Sequence, residues 1–124
     1  MKTDTASRTK EIGTIELDRK MRDHKDLVVI DTLPHKSFCA KHIPGSISIP
    51  EIAIKTVITD VLPDKNQQIV VYCAGPDCHS SVRAAETLEE MGYKNVYHFA
   101  GGLKEWEKVG FQLAGTGEHV DVDC

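Results

Sequence analysis

The sequence predicts an α/β domain built on a mainly parallel sheet. Apolar runs short enough for strands alternate with segments of helical period from end to end. The two longest runs, "LVVID" at 27–31 and "QIVVYC" at 68–73, are continuous rather than alternating, which suits strands covered on both faces. A chain of 124 residues makes one domain and can bury a core without disulfide or metal staples.

Residues 1–10 are polar and aperiodic and are read as a flexible lead, with the domain proper over 11–115 and a loosely attached tail over 116–124. "TIELDRKMRDH" places Ile15, Leu17 and Met21 among charges, with Thr14 as N-cap and Glu16 and Asp18 in the first turn, and predicts a helix. The strand at 27–31 follows. After Pro34, "HKSFCAKH" predicts a short helix, "IPGS" a turn and "ISIP" at 47–50 a brief strand. "EIAIKTVITDVL" is rich in β-branched residues, but its length and its place between two strands favour a helix. "SVRAAETLEEMG" carries Val82, Ala85, Leu88 and Met91 at helical spacing, closed by Gly92. "NVYHF" then predicts a strand and "GGLKEWEKVG" a last short helix.

Composition excludes several classes. With 15 Lys and Arg against 19 Asp and Glu and no basic stripe, nucleic acid is not an expected partner. No apolar run approaches the roughly 18 residues of a membrane span, and no apolar run follows the N-terminal Lys as in a secretory leader. A cytoplasmic location is the expectation, and there Cys39, Cys73, Cys78 and Cys124 start as thiols.

The chemistry concentrates in "VVYCAGPDCHS", where Cys73 closes a buried run just before a helical pattern. In parallel α/β sheets ligands sit outside the carboxyl ends of strands. A loop entering a helix turns successive N–H groups inward and adds the positive end of the helix dipole, which can lower a cysteine pKa from about 8.5 to roughly 3.5–7.5. Cys73 is thus a candidate nucleophile, the alternative being a small core hydrophobe that finishes the strand. Ala74, Gly75, Pro76, Asp77, Cys78, His79 and Ser80 form the candidate substrate-binding loop, with Cys78 able to resolve an oxidised or persulfidated Cys73. Zinc is not expected, because four residues separate the two cysteines and no second hook follows. His79 could assist a bound anion or stand solvated, His42 reads as a turn residue, and His98 shows no usable pattern.

Several segments together resemble the rhodanese-like family of sulfurtransferases. The carriers are Asp31 on its strand, the turn through His42, Ile43, Pro44, Gly45, Ser46, Ile49 and Pro50, and the later series Arg83, Ala84, Ala85, Gly92, Tyr93, Val96, Tyr97, Gly101, Gly102, Trp106 and Gly110. The resemblance implies a three-layer fold, a five-stranded mainly parallel sheet with helices on both faces, and a catalytic cysteine opening the loop after the fourth strand, which is Cys73. It further implies transfer of sulfane sulfur through a Cys73 persulfide from a small donor to a thiol, another thiophilic acceptor or an acceptor protein, with no cofactor. Cys78 stands where the family's loop carries Arg, His79 stands where related phosphatases carry it, and the loop is two residues longer. Leu33 replaces a frequent Arg after Asp31. Without a loop cation, phosphoryl transfer is disfavoured and weak use of doubly charged thiosulfate is expected. A reading from another class is a non-catalytic binding or redox-sensing module with a reversible Cys73–Cys78 disulfide.

Overall fold

Along the central strand the side chains alternate between two cores, and this alternation sets the layers. Ile69 and Val71 point to one face while Val70 and Tyr72 point to the other, all fully buried. A continuous apolar run is what a strand with two covered faces requires. The structure is a computed structural model that describes residues 9–23 and 26–117.

The elements run β1 (Lys10–Glu11), α1 (Thr14–Asp23), β2 (Val28–Asp31), α2 (His35–Ala40), β3 (Ile47–Ser48), a 3₁₀ turn (Glu51–Ala53), α3 (Ile54–Val61), β4 (Gln68–Tyr72), α4 (Ser80–Glu90), β5 (Asn95–Phe99) and α5 (Gly102–Val109). The sheet has five strands in the order β1-β5-β4-β2-β3, every pair parallel. One core joins Ile30, Ile69, Val71 and Val96 to Ile54 and Ile58 of α3 and to Ala84, Ala85 and Leu88 of α4. The opposite core joins Val29, Val70, Tyr72 and Phe99 to Leu17 of α1 and to Leu103 and Trp106 of α5.

Four details differ from the sequence reading. The domain starts earlier, since Lys10 pairs with Tyr97 and Glu11 with His98 in the edge strand β1; two residues among charges give no period to detect. On α4 the buried face holds Ser81, Ala84, Ala85 and Leu88, while Val82 is exposed. The tail is attached through residue 117: His42 and Ala114 form a bridge, and the N–H groups of Thr116 and Gly117 donate to the carbonyls of Cys39 and Ala40 at 2.9 and 2.8 Å. Those two carbonyls end α2, so the returning chain satisfies orphan acceptors of a helix C-terminus. Residues 1–8 of the lead and 118–124 of the tail lie outside the described residues. Finally, Cys39 is buried and disulfide-bonded, so it is not one of four thiols; Cys73 and Cys78 are free.

The turn at 42–46 is tied to the sheet by one hydroxyl. Tyr72 Oη accepts from the Ile43 N–H at 3.0 Å and lies 3.0 Å from Ser46 Oγ, all three groups buried. Gly45 sits in this turn at φ 91°, a conformation that disfavours a side chain. Tyr72→Phe leaves the Ile43 N–H buried without its acceptor and is expected to lower stability by about 1–3 kcal/mol. The urea midpoint checks it, and an unchanged midpoint would refute the linkage.

Candidate functional site

β4 is the central strand, and its period fixes where the next side chain points. Tyr72 faces the α5 core, so Cys73 faces α4, at the carboxyl edge of the sheet. Cys73 is 2% exposed, and its Sγ lies 3.2 Å from Ser81 Oγ and 3.4 Å from the Cys78 carbonyl. The loop between them is compact: the Cys78 N–H donates to Gly75 O at 3.0 Å, and α4 begins at Ser80.

The opening of the loop is held by α5. The N–H groups of Leu103 and Lys104 donate to the carbonyls of Cys73 and Ala74 at 3.1 and 2.9 Å. Gly102 makes this approach possible, because it has φ 61° and a Cβ there would lie 2.4 Å from Cys73 O and 2.8 Å from Gly75 N. The two adjacent glycines of the sequence thus have a site-building role at the second one.

Charge is distributed against the initial expectation. Burial pushes the Cys73 thiol up from its ordinary value, the hydrogen bond with Cys78 adds to this, and the Ser81 hydroxyl and N–H only partly offset it. Burial also acts upward on Cys78, but the Cys73 thiol, the N–H groups of Ala74 and Ser80 and the Ser80 hydroxyl together hold it down. The N–H groups of Ala74 and Ser80 therefore favour ionisation of Cys78 over that of Cys73.

The remaining loop residues divide by exposure. Ala74, Pro76, Asp77 and His79 are exposed, Gly75 is buried, and Cys78 and Ser80 are intermediate. A cavity of about 310 Å³ lies outside the loop, lined by its residues from Ala74 to Cys78 and by Lys104 of α5. Lys104 supplies a cation that loop counting misses, and Asp77 lines the same cavity. Arg83 lies inside α4 and pairs with Glu51 at 3.2 Å, and Glu51 lines a pocket with Ser80. His42 is a turn residue: its Nδ1 lies 2.6 Å from Phe38 O, and its ring stacks on Phe38. Asp31 is fully buried and its Oδ1 accepts from the Leu33 N–H at 2.9 Å; burial raises its carboxyl pKa.

Sequence reasoning misses Ser81, His98 and Glu11, which continue from Cys73 towards the surface. Ser81 Oγ lies 2.8 Å from His98 Nε2, and His98 Nδ1 lies 3.0 Å from Glu11 Oε2. A signal for His98 existed in strand period, since Val96 belongs to the α4 face and His98 stands two residues on. Among the described residues no group of three metal-ligating side chains occurs, and no helix is long and apolar enough to cross a membrane.

The family profile described as Rhodanese-like domain matches residues 14–109. The thiosulfate sulfurtransferase PspE of Escherichia coli (strain K12) is 42% identical over 77 residues, covering 61% of this chain and 70% of that protein. A solved structure from Bacillus halodurans aligns with a TM-score of 0.80 at 28% identity, over 88% of this chain and 79% of the other. A structure described as rhodanese with anions from E. coli aligns with a TM-score of 0.61 at 33% identity, over 73% of this chain and 99% of the other.

Gly102→Ala forces a Cβ against the backbone of Cys73 and Gly75 at a positive φ. It is expected to cost at least about 1–3 kcal/mol, whereas Gly13→Ala, with nothing within 4 Å of its Cβ, serves as the mild control. Thermal melts of both variants measure the difference, and equal melting temperatures would refute the close approach of α5.

Proposed function

The chain belongs to the rhodanese-like domain family, and from that premise we propose that it is a sulfurtransferase carrying sulfane sulfur as a persulfide on Cys73. The observation that carries this reading is the position of Cys73: it closes the central parallel strand, opposite the first turn of α4, with its sulfur on Ser81 Oγ. The name of the E. coli relative supports the reaction class.

The reaction runs in two halves. The Cys73 sulfur, losing its proton, attacks the outer sulfur of the donor; the new S–S bond forms as the donor's S–S bond breaks, and the leaving group departs with the electron pair. An acceptor thiolate then attacks the outer sulfur of the persulfide, and Cys73 leaves and recovers a proton. Oxidation states balance without a cofactor. Donors are small sulfane-sulfur compounds, and acceptors are thiols or other thiophiles, free or on a protein. The cavity outside the loop offers thiosulfate a single exposed cation, Lys104, with Asp77 opposing it. Weak thiosulfate use and better use of a neutral or thiol-bound donor follow.

A second reading, a redox or binding module, rests on the contact between the two free cysteines, each of which shifts the other's ionisation. The Cys78 thiolate attacking the inner sulfur of a Cys73 persulfide gives a Cys73–Cys78 disulfide and releases hydrosulfide, so sulfur loading itself can supply the oxidising equivalents.

Intact mass after incubation with thiosulfate or an organic persulfide separates the readings. Gain of one sulfur atom in wild type and in Cys78→Ser, absent in Cys73→Ser, is the expected result. Loss of two hydrogens requiring both cysteines would favour the disulfide module, and no loading by any donor would remove sulfur transfer.

Donor preference is tested separately with Lys104→Glu, which is expected to raise the thiosulfate KM several-fold and leave the organic persulfide KM within about twofold. Equal effects on both donors would refute the charge argument.

A further inference from the structure

We propose that Ser81, His98 and Glu11 form a proton relay that accepts the Cys73 proton as its sulfur attacks the donor. This deepens the sulfur-transfer reading and rests on it.

The path is continuous. Cys73 Sγ, Ser81 Oγ, His98 Nε2 and Glu11 Oε2 are separated by successive distances of 3.2, 2.8 and, from His98 Nδ1, 3.0 Å. Cys73 and Ser81 are at most 2% exposed, so no bulk water competes between them, and His98, 9% exposed, borders a cavity of about 410 Å³. The Glu11 side chain is 72% exposed, and the chain of contacts therefore ends at solvent.

The direction is set at the outer end. An ionised carboxylate can only accept, so Nδ1 carries the imidazole proton and Nε2 presents its lone pair to Ser81. The Ser81 hydroxyl donates to Nε2, which leaves its oxygen, 3.2 Å from Sγ, free to accept the thiol proton in competition with the Cys78 carbonyl, to which the thiol donates at 3.4 Å. During attack the Cys73 proton passes to Ser81 Oγ as the Ser81 proton passes to Nε2, and the imidazolium formed faces the Glu11 carboxylate. In the second half both protons return and Cys73 leaves the persulfide as a thiol. No electrons move in these transfers.

The need for such a relay is local. The thiol is held protonated by burial and by the neighbouring Cys78. Other charged groups do not replace the path. Across the cavity of about 410 Å³ beside His98 stands Glu86 of α4, while Glu89, further along that helix, accepts the Thr9 hydroxyl at 2.6 Å. β4 presents Val71 beside His98, and β1 presents Glu11. On the Cys73 side the titratable groups of the loop are Asp77, Cys78 and the exposed His79 that caps α4, with Lys104 beside Asp77 and Cys78 on the outer cavity. Ser81 touches the reacting sulfur, whereas His98 and Glu11 act through it as positioning residues.

The test is the single-turnover rate of sulfur loading onto Cys73, read by intact mass from near-neutral to strongly alkaline pH with an organic persulfide donor. Wild type is compared with Ser81→Ala, His98→Gln, Glu11→Gln and Cys78→Ser. At neutral pH the first two are expected to load about 100-fold more slowly, and Glu11→Gln, an exposed change that spares the fold, about 3–10-fold more slowly. At alkaline pH, where hydroxide ionises the thiol directly, all three are expected within about twofold of wild type. A loss of equal size at every pH, or none, would overturn the relay. So would a neutral-pH loss confined to Cys78→Ser, because the Cys78 thiolate would then be the base. Failure of wild type to load at any pH would overturn sulfur transfer and the relay together, whereas normal wild-type loading with unshifted variants overturns the relay alone.

Discussion

Two backbone hydrogen bonds from the start of α5 to the carbonyls of Cys73 and Ala74 fix where β4 stops being a strand. Without them the carbonyls at the edge of the sheet would need solvent or another partner. With them the chain turns at Cys73, and the sulfur is presented to the first turn of α4. The contact requires a helix start without a side chain at Gly102, since a Cβ there would lie within 3 Å of Cys73, Ala74 and Gly75 backbone atoms. One glycine, 29 positions after the cysteine, thus sets the local geometry of the loop.

The same edge is organised by strand parity. Tyr72 and Cys73 are neighbours that face opposite layers: the first reaches the turn at Ile43 and Ser46, the second reaches Ser81. In β5, parity places His98 on the α4 side between Val96 and the end of the strand, and the parallel register with β1 sets Glu11 beside it. A slip of one residue in either strand would send Cys73 or His98 into the α5 core. The line from sulfur to surface carboxylate is therefore a product of sheet register, and short strands suffice to build it because their neighbours are covered by helices.

Much of this was legible in the sequence. The continuous runs at β2 and β4, the helices after them and the glycine closing α4 follow from local physics, because each element carries its own period and boundary residues. The helix at 54–61 is obscured by residue type, since Ile54, Val57, Ile58 and Val61 are β-branched, although their spacing is that of one helix face. What stayed hidden depends on distant pairing. Lys10 and Glu11 become a strand only because β5 offers its edge, 87 positions later. Ser81 looks like an ordinary first-turn residue until the fold brings His98 to its hydroxyl. The ionisation of Cys73 is hidden for a related reason: the N–H groups of Ala74 and Ser80 act on Cys78, and that of Ser81 acts on Cys73.

That exchange has a chemical logic. An arginine at position 78 would bring a permanent positive charge, lowering the barrier for a dianionic donor and for ionisation of Cys73 alike. Cys78 brings a group that is neutral or negative, and its thiolate opposes a second negative charge on Cys73. Only one of the two sulfurs is then easily ionised, and in the proposed reaction attack by Cys73 is coupled to movement of a proton rather than to a fixed field. The nearest buried acceptor outside the pair is Ser81, already hydrogen-bonded to an imidazole with a carboxylate behind it. On the proposed mechanism a thiol in place of a cation shifts the burden of activation from static charge to proton transfer, and the groups proposed to carry it lie on the face to which strand parity directs Cys73.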